Sequence, residues 1–531
     1  MNQPPRALYS LPTAGAGAAL GRPGDGAGWL QDLPVLVLGL GDSGLAMARW
    51  CARQGARVQV WDSRDAAPHD AAIDGVATRL RGALDPALLA DMKLVLKSPG
   101  LAPHDARIAP LLGAAAERGM RVMGELGLFV RALADLDYAP PLLAITGTNG
   151  KTTVTSMTAL LVERAGRRVA MAGNVGPTML DTLTAQLERE RGEWPEVWVL
   201  ELSSFQLDGV QGFEPAAATV LNVTQDHLDW HGSMAAYTAA KARIFGSTAT
   251  MVINRDDGAV LAMLAQPVPQ KPAKGRKAAV EPARPVIRFG LEAPRHAGDF
   301  GLVVENGMAW LVRALPIDET IKKKKGEVEE IHLQRLMPAD ALRVRGRHNA
   351  ANALAALALA TAIGCPLAPM LHGLREYRGE PHRVEPIGSV GGIEAFDDSK
   401  GTNVGATVAA LEGLGADVTP GRLLVILGGD GKGQDFSPLT APVARFARAV
   451  ALIGRDAPVI ADALQGGGVP MQTLATLQAA VAWVYGQAQP GDAMLLSPAC
   501  ASLDMFRNYA HRAEVFADAV RALAAERGET V

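Results

Sequence analysis

Residues 141–153 have the sequence PLLAITGTNGKTT, in which an apolar run leads into a glycine-rich turn that ends at Lys151. The apolar run is typical of a buried parallel strand, and residues 154–161 after the turn have helical periodicity. A turn at such a junction lets consecutive backbone N–H groups point at phosphate oxygens. Lys151 would add a fixed positive charge, and Thr152 would offer a hydroxyl to magnesium. The stretch therefore predicts a phosphate-binding loop in a parallel α/β domain.

Length and composition limit the classes of protein that fit. A chain of 531 residues is too long for one core and suits three domains of ordinary size. The net charge is −3, with both signs spread along the chain, so we expect neither a nucleic acid nor a membrane as partner. Its 3 cysteines lie far apart without metal-ligand spacing, which favours a reducing compartment. Since there is no leader-like start and no membrane-spanning apolar run, we expect a cytoplasmic protein, and we expect a monomer.

Strand and helix patterns on either side of the loop predict an α/β chain. Residues 1–31 have little periodic apolar content, so we expect a disordered extension. Strand and helix signals then alternate, which is typical of parallel sheets. The expected domains are a Rossmann-like N-terminal domain at 32–139, a central P-loop ATPase-like α/β domain at 140–379 and a C-terminal doubly wound α/β domain at 380–531. Low-complexity segments near 265–285 and 318–330 are expected to be solvated insertions.

The segment GLGDSG at 39–44 matches the glycine fingerprint of dinucleotide-binding domains. Asp62 stands at the end of the next predicted strand, where an acid that binds ribose belongs. Taken alone, this pattern favours an NAD-dependent dehydrogenase. The same geometry serves other nucleotide diphosphates, because it consists of backbone donors at a helix N-terminus. A structural turn without a ligand is a third interpretation, and the motifs further along the chain favour a nucleotide other than NAD.

Polar segments also follow predicted strands of the central domain. Glu201 begins the segment ELSSFQL where a strand ends, which is where α/β domains place their ligands. A carboxylate that faces a phosphate loop is a natural magnesium ligand, because magnesium prefers oxygen. His227 lies in NVTQDHLDWH after another strand, although a histidine in such a place is more often structural than a ligand. Lys241 lies on an amphipathic helix, where a lysine is ordinarily solvated.

Four polar segments of the C-terminal domain lie at strand ends or turns. They are GEPHR at 379–383, FDDSKGTN at 396–403, GGDGK at 428–432 and LSPACASLD at 496–504. Each is dense in groups that bind small anions. One alone would pass for an ordinary turn, but four together favour a substrate site.

In order along the chain, the segments TGTNGKT, ELSSFQL, NVTQDHLD, HNAAN, DDSKGTN, GGDGK and SPACASLD resemble motifs of the Mur ligase family. The likeness spans about residues 33–525, and the last three motifs resemble its D-glutamate-adding branch. The compact phosphate loop, in which Gly147 precedes Gly150 by three residues, is similar to that of the Mur ligases and folylpolyglutamate synthetases.

This resemblance implies an ATP-dependent amide ligation in the synthesis of peptidoglycan precursors. ATP would phosphorylate the terminal carboxylate of UDP-N-acetylmuramoyl-L-alanine, and the amine of D-glutamate would attack the acyl phosphate. Such a site must neutralise phosphate charge, align the nucleophile and exclude water. The resemblance also implies two magnesium ions as cofactors and no role for NAD.

The family's functional residues transfer to this sequence motif by motif. The resemblance implies that the catalytic residues are Lys151, Glu201, His227, Lys241 and Arg383. Contacts with ATP are expected from Gly147, Thr148, Asn149, Gly150, Lys151, Thr152, Thr153, Asn349, Asn352, Arg383 and Asp398. The expected metal ligands are Thr152, Glu201, His227 and a carbamylated Lys241. Carbamylation requires a neutral amine, so burial or nearby cations must lower the pKa of this lysine below about 10.4.

Two further sets of residues are implied for the other substrates. The UDP-linked substrate is expected to contact Asp42, Ser43, Asp62, Ser63, Gly100 and Asn174. D-Glutamate is expected to contact Lys400, Thr402, Lys432, Ser502, Leu503 and Tyr509.

Other functions account for parts of this pattern. A nicotinamide-dependent oxidoreductase would use the 39–44 fingerprint but leaves the phosphate loop unexplained. A regulatory ATP-binding switch would use the phosphate loop but leaves the C-terminal motifs idle. Within the ligases, the alternatives are the L-alanine-adding, diaminopimelate-adding and folate-directed relatives.

Overall fold

The computed structural model describes residues 28–265, 284–317 and 330–529. Its N-terminal part is a parallel sheet of five strands in the order β3-β2-β1-β4-β5. The strands are β1 (Pro34–Leu38), β2 (Arg57–Trp61), β3 (Thr78–Leu80), β4 (Leu94–Lys97) and β5 (Val122–Met123). The helices are α1 (Asp42–Arg53), α2 (Ala109–Glu117) and α3 (Glu125–Asp135). Apolar side chains fill β1 because helices cover both faces of a parallel sheet.

The central part contains a parallel sheet of six strands in the order β11-β10-β9-β6-β8-β7. The strands are β6 (Leu142–Thr146), β7 (Val169–Gly173), β8 (Val197–Glu201), β9 (Ala217–Val220), β10 (Thr250–Asn254) and β11 (Val286–Phe289). The helices are α4 (Lys151–Arg164), α5 (Met179–Leu187), α6 (Ser204–Leu207), α7 (Leu228–His231), α8 (Met234–Ala242) and α9 (Gly258–Ala262). Every residue of β6 and β8 is buried, so the phosphate loop starts from a fixed point.

A small antiparallel sheet and two helices complete this part. The sheet contains β12 (Phe300–Glu305), β13 (Met308–Pro316) and β14 (Ile331–Pro338). The helices are α10 (Arg347–Ala362) and α11 (Leu367–Glu376). Residues 353–360 of α10 are completely buried, and α10 packs on α4. A helix that is apolar all round is stable only when it is covered on all sides, as this one is.

The C-terminal part is a mixed sheet of six strands in the order β15-β16-β20-β17-β18-β19. The strands are β15 (Glu385–Val390), β16 (Ile393–Asp397), β17 (Leu423–Gly428), β18 (Ala447–Ile453), β19 (Met471–Thr473) and β20 (Ala493–Leu496). The helices are α12 (Val404–Val418), α13 (Thr440–Phe446), α14 (Ala457–Leu464), α15 (Leu477–Tyr485) and α16 (Tyr509–Glu526). Only β15 runs antiparallel to its neighbour, and separate apolar clusters cover the two faces of the sheet.

The N-terminal and central parts share one apolar core. Phe129 of α3 packs against Trp198 of β8 with the ring centroids 4.9 Å apart. This contact joins two parts that the sequence predicts as separate domains with a boundary after residue 139. The C-terminal part has apolar clusters of its own and meets the phosphate loop through polar side chains.

The α/β fold class is confirmed, and the prediction of a disordered extension is wrong for residues 28–31. Leu30 is buried in the shared core, and Trp29 Nε1 donates to Asp135 Oδ2 at 2.6 Å. Two apolar residues at the end of a segment rich in alanine, glycine and proline produce no periodicity, which is why the sequence did not reveal this contact. The rest of the expected extension lies outside the described residues.

Two other features differ from, or fall outside, the expectations. The antiparallel sheet β12–β14 was not predicted, because its strands flank a low-complexity segment that dominates the local sequence signal. The insertions expected near 265–285 and 318–330 lie almost wholly outside the described residues. In the portion of the chain that the structure describes, no helix is both long enough and apolar enough to cross a membrane.

Candidate active site

The phosphate loop lies between β6 and α4, where the central strands end. Gly150 precedes the first residue of the helix and has a left-handed backbone with φ of 81°. A Cβ atom at this position would lie 2.9 Å from Asn352 Oδ1. Glycine therefore meets both the conformational and the steric requirement here. The helix N-terminus that follows favours an anion, because its first N–H groups have no partner within the helix.

Lys151 lies across the loop that it follows in sequence. Its Nζ donates to the carbonyl oxygens of Gly147 at 3.0 Å and Thr148 at 2.9 Å. Burial lowers the pKa of Lys151, and the Glu201 carboxylate opposes this effect. The amine is thus held at the loop. In phosphate-binding loops of this kind, the lysine reaches the β- and γ-phosphates of the nucleotide.

Glu201 ends β8 beside the loop and is only 1% exposed. Its Oε1 accepts a hydrogen bond from Asn174 Nδ2 at 2.9 Å, whereas Oε2 is buried and has no partner within the described residues. An unpaired buried carboxylate oxygen is costly unless a cation satisfies it. Carboxylate and hydroxyl oxygens are the ligands that magnesium prefers. The unpaired Glu201 oxygen and the buried Thr152 hydroxyl are both of the type that magnesium binds.

His227 directly precedes α7 in a left-handed conformation with φ of 53°. Its Nε2 lies 3.5 Å from Asp226 Oδ2, and its ring meets Phe205 edge-on with the centroids 4.7 Å apart. Burial lowers the pKa of His227, and the Asp226 carboxylate opposes the shift. A neutral imidazole is the form that binds a metal, so the setting suits the predicted ligand.

Lys241 is 1% exposed, unlike the solvated lysine that its helix pattern alone predicts. Its Nζ donates to Gly147 O at 2.8 Å and lies 4.5 Å from the centre of the Tyr237 ring. Burial and the neighbouring Lys151 ammonium hold the pKa of Lys241 well below its usual range. A lowered pKa supplies the neutral amine that carbamylation needs.

Three of the predicted ATP contacts, Asn349, Asn352 and Asp398, lie in two separate segments of the chain. Asn352 Nδ2 donates to Asn349 Oδ1 at 3.1 Å, and Asn349 Nδ2 donates to Arg345 O at 2.7 Å, so the two asparagines form one network at the start of α10. Asp398 is buried at the end of β16 and accepts a hydrogen bond from Ser497 Oγ at 2.6 Å. Burial raises the pKa of Asp398 to about 7.

Arg383 joins the C-terminal part to the phosphate loop. Its Nη2 donates to Thr152 Oγ1 at 3.2 Å, and its Nε is buried with no partner among the described residues. Thr153 is buried in the first turn of α4, beside Thr152. A guanidinium with a spare donor at a phosphate loop suits an additional phosphate oxygen.

The predicted D-glutamate contacts differ in how exposed their side chains are. Lys400 Nζ lies 5.8 Å from the centre of the Tyr509 ring, and the neighbouring Thr402 N donates to Lys400 O at 3.0 Å. Burial and Arg383 lower the pKa of Lys400. Ser502 is buried. The side chains of two further predicted contacts are exposed, namely Lys432, with φ of 52°, and Leu503, which is 72% exposed.

A cavity of about 800 Å³ lies between the N-terminal sheet and the central part. All the residues expected to contact the UDP-linked substrate line it, namely Asp42, Ser43, Asp62, Ser63, Gly100 and Asn174. Asn174 also donates to Glu201 Oε1, so it connects the lining of the cavity with the carboxylate at the end of β8. The volume of the cavity is ordinary for a site that takes a large nucleotide-linked ligand.

The Asp62 carboxylate is already engaged in this cavity. It accepts from Leu40 N at 2.7 Å and pairs with Arg64, whose Nε lies 2.8 Å away. Burial would raise the pKa of Asp62, but the hydrogen bonds from Arg64 and Leu40 outweigh it and lower the pKa below its usual value.

The sequence did not point to three arginines that line the same cavity. They are Arg49, Arg64 and Arg107. Guanidinium groups are well suited to bind the oxygens of a diphosphate. The three arginines lie between residues 49 and 107 and share no motif. Only the position of Arg64, two residues after Asp62, was a usable signal.

Comparison with known families covers most of the chain. Three domain models match in sequence order: the Mur ligase MurD-like N-terminal domain at 34–124, the Mur ligase middle domain at 145–360 and the Mur ligase glutamate ligase domain at 382–500. The three matches follow the N-terminal, central and C-terminal parts of the structure in order.

Curated relatives resemble the chain over almost its full length. A UDP-N-acetylmuramoylalanine–D-glutamate ligase of Albidiferax ferrireducens is 61% identical over 94% of this chain and 98% of its own. A ligase of the same name from Burkholderia mallei is 56% identical over the same shares. The chain therefore belongs to the Mur ligase family, in its group of UDP-N-acetylmuramoylalanine–D-glutamate ligases, and the family predicted from the sequence is confirmed.

Solved structures with low sequence identity show the same fold. UDP-N-acetylmuramate–alanine ligase from Thermotoga maritima is 18% identical, with a TM-score of 0.53 over 92% of this chain and 99% of that one. MurF ligase from Thermotoga maritima in complex with ADP is 15% identical, with a TM-score of 0.53 over 94% of this chain and 96% of that one.

Proposed function

We propose that the protein is an ATP-dependent ligase that joins D-glutamate to UDP-N-acetylmuramoyl-L-alanine in the cytoplasmic synthesis of peptidoglycan precursors. The relatives that bear this name match nearly the whole chain. The observation that carries the proposal is the position of Asn174, which lines the large cavity and bonds to Glu201 beside the phosphate loop. A ligand in that cavity can thus bring its far end to the nucleotide.

The reaction proceeds through an acyl phosphate. The terminal carboxylate of the UDP-linked substrate attacks the γ-phosphorus of ATP, and ADP leaves. The amine of D-glutamate then attacks the acyl carbon, and phosphate leaves from the tetrahedral intermediate as the amide forms. This order supplies the leaving group that a free carboxylate lacks.

The residues of this chain provide charge neutralisation and alignment. Lys151 and Arg383 place two cationic groups at the phosphate loop, and both bind atoms of the loop or of α4 in the structure. Fixed charges cost no reorganisation when negative charge develops on the transferred phosphoryl group. Lys400 and Thr402 present a cation and a hydroxyl to the carboxylates of D-glutamate. The buried setting of Glu201 and Lys241 limits access of water.

Two magnesium ions are part of the proposal. Thr152, Glu201, His227 and Lys241 as a carbamate would hold them, and the unpaired Glu201 Oε2 supports this assignment. When bound, magnesium neutralises phosphate charge and polarises phosphoryl oxygens. The chain's own contribution is to place Glu201 near Lys151 and to lower, by burial, the pKa values of His227 and Lys241, which favours their neutral forms.

Phosphate release in the presence of ATP and magnesium tests this function. We expect turnover only when UDP-N-acetylmuramoyl-L-alanine and D-glutamate are both present. Assays with L-glutamate, with diaminopimelate, and with L-alanine on UDP-N-acetylmuramate separate the relatives of other specificity. Efficient turnover with one of these and not with D-glutamate contradicts the proposal.

A further inference from the structure

A pair of asparagine side chains connects the phosphate loop with the turn that precedes α12. Asn403 Nδ2 donates to Asn149 Oδ1 at 2.9 Å, and Asn149 Nδ2 donates to Asn403 Oδ1 at 3.2 Å. The two residues are 254 positions apart and lie in parts of the protein that are built on different sheets. Two reciprocal bonds fix both distance and orientation, because each bond requires its own alignment.

Asn149 enters this pair from a rigid backbone. Its N–H donates to Asn222 Oδ1 at 2.8 Å, and its carbonyl oxygen accepts from Asn222 Nδ2 at 3.1 Å. Asn222 follows β9, which neighbours β6 in the central sheet. The backbone of Asn149 is therefore held by the central part, while its side chain is left to bond across to the C-terminal part.

Asn403 is 5% exposed and fixes the start of α12 as well. Its Oδ1 accepts from Ala406 N at 2.9 Å, which caps the helix, and its Nδ2 lies 3.5 Å from Asp226 Oδ2. The approach is close, since a Cβ atom on Gly405 would lie 2.8 Å from Thr224 Oγ1. The helix N-terminus is thus seated directly on the phosphate-loop side of the central sheet.

The same turn carries the proposed D-glutamate contacts. Gly401 N donates to Asp398 O at 2.8 Å, and Thr402 N donates to Lys400 O at 3.0 Å. These bonds make residues 398–403 one tight unit. A shift of Asn403 therefore moves Lys400 and Thr402 with it.

We infer that Asn403 is a positioning residue that couples nucleotide binding at the phosphate loop to the D-glutamate site. The inference rests on the proposed function for the identity of the amino acid. A nucleotide bound between the phosphate loop and Arg383 favours the arrangement in which Asn149 bonds to Asn403, and this pair then holds the 398–403 turn in the arrangement that binds D-glutamate. Without the pair, that arrangement is populated less, and the apparent affinity falls by the same fraction.

Asn403→Ser separates this role from helix capping. Serine caps about as well as asparagine but is too short to reach Asn149. We expect the KM for D-glutamate to rise about tenfold while kcat changes less than about threefold, the size usual for one coupled polar pair. Thr476→Ala removes the cap of α15 in the same part of the protein and should leave both constants unchanged. An Asn403→Ser enzyme with the wild-type KM overturns the inference.

A double-mutant cycle tests the pairing itself. Asn149→Ser and Asn403→Ser are combined, and the KM for D-glutamate is measured for each single variant and for the double variant. If the two side chains act as one unit, the second substitution adds little once the first is present. Effects that multiply in the double variant overturn the inference, because they show two independent contributions.

Hydrogen exchange tests the coupling without turnover. Amide exchange of residues 399–407 is measured with and without ADP and magnesium. We expect the ligand to slow exchange in the wild type and to leave it unchanged in Asn403→Ser. Equal slowing in both proteins overturns the inference. If the wild type instead fails to use D-glutamate, the proposed function fails, and the exchange result still decides whether the loop and the turn are coupled.

Discussion

At the scale of single residues, two lysines of the site share one backbone carbonyl group as hydrogen-bond acceptor. Lys151 Nζ and Lys241 Nζ both donate to Gly147 O, at 3.0 and 2.8 Å. Two amines at one buried acceptor disfavour double protonation, and the lowered pKa of Lys241 follows from burial and from this neighbour. The sequence alone could not reveal the arrangement, because Lys241 and Gly147 are 94 positions apart and the pattern of α8 is that of a surface helix.

Loss of the Lys151 ammonium should lower the turnover number without lowering the stability of the fold. We expect Lys151→Ala to lower kcat by about 10²- to 10³-fold or more, because it removes charge that stabilises the transferred phosphoryl group. Thermal unfolding should be nearly unchanged. The exposed Lys93 offers a matched control, since Lys93→Ala removes a lysine far from the loop. Near-normal turnover of Lys151→Ala would exclude its role at the phosphate.

The carbamate proposed on Lys241 should make activity depend on carbon dioxide. A bare ammonium beside magnesium would be repelled, whereas a carbamate supplies oxygen ligands. We expect activity to fall in buffer depleted of carbon dioxide and to return with bicarbonate. Lys241→Ala should be nearly inactive, and acetate should restore part of its activity by filling the vacated space. Wild-type turnover of Lys241→Ala, or an unmodified amine in the mass of the active protein, contradicts the proposal.

At the scale of elements, strand ends predicted from the sequence explain most of the site. The strands β6, β8 and β17 have the expected positions, since continuous apolar runs between turn residues identify buried strands well. The strand β9 ends at Val220, and Asn222 just beyond it accepts a hydrogen bond from Asn149 N in the phosphate loop. Contacts between residues of different elements could not be predicted from the sequence. The three arginines that line the large cavity are an example.

A buried carboxyl group at the junction of three helices provides a test by pH. Glu125 begins α3, accepts from Ser43 Oγ of α1 at 2.8 Å and from Leu180 N of α5 at 3.1 Å, and lies near Asp181. Burial raises the pKa of Glu125 from 4.5 to about 7. Between these values the native state holds a proton that the unfolded state has lost, so this group makes stability fall as pH rises.

Glu125→Gln should remove that dependence. The stability of Glu125→Gln relative to the wild type should therefore increase from pH 5 to pH 7 and then level off, as measured by denaturant unfolding at a series of pH values. Asp105→Asn, in the turn before α2, serves as a control for loss of a carboxylate elsewhere in the same part. A stability difference that stays constant over this range contradicts the protonated state of Glu125.

At the scale of the whole molecule, two kinds of junction meet at the phosphate loop. The N-terminal and central parts share an apolar core, whereas the C-terminal part reaches the loop through the pairs Arg383–Thr152 and Asn149–Asn403. Apolar junctions are stable, and polar ones are more easily opened to admit substrates. The sequence predicts three domains but not which faces meet, because the contacting residues come from distant positions with no local signal.

The central claim is that the reaction passes through an acyl phosphate. The fate of the substrate's carboxylate oxygens tests this claim most directly. UDP-N-acetylmuramoyl-L-alanine labelled with ¹⁸O in both carboxylate oxygens is incubated with the protein, ATP, magnesium and D-glutamate. An acyl phosphate requires one labelled oxygen to leave with phosphorus, so we expect one ¹⁸O in each inorganic phosphate released and one in the new amide carbonyl. Phosphate without label, or labelled phosphate that forms equally well without D-glutamate, contradicts the account.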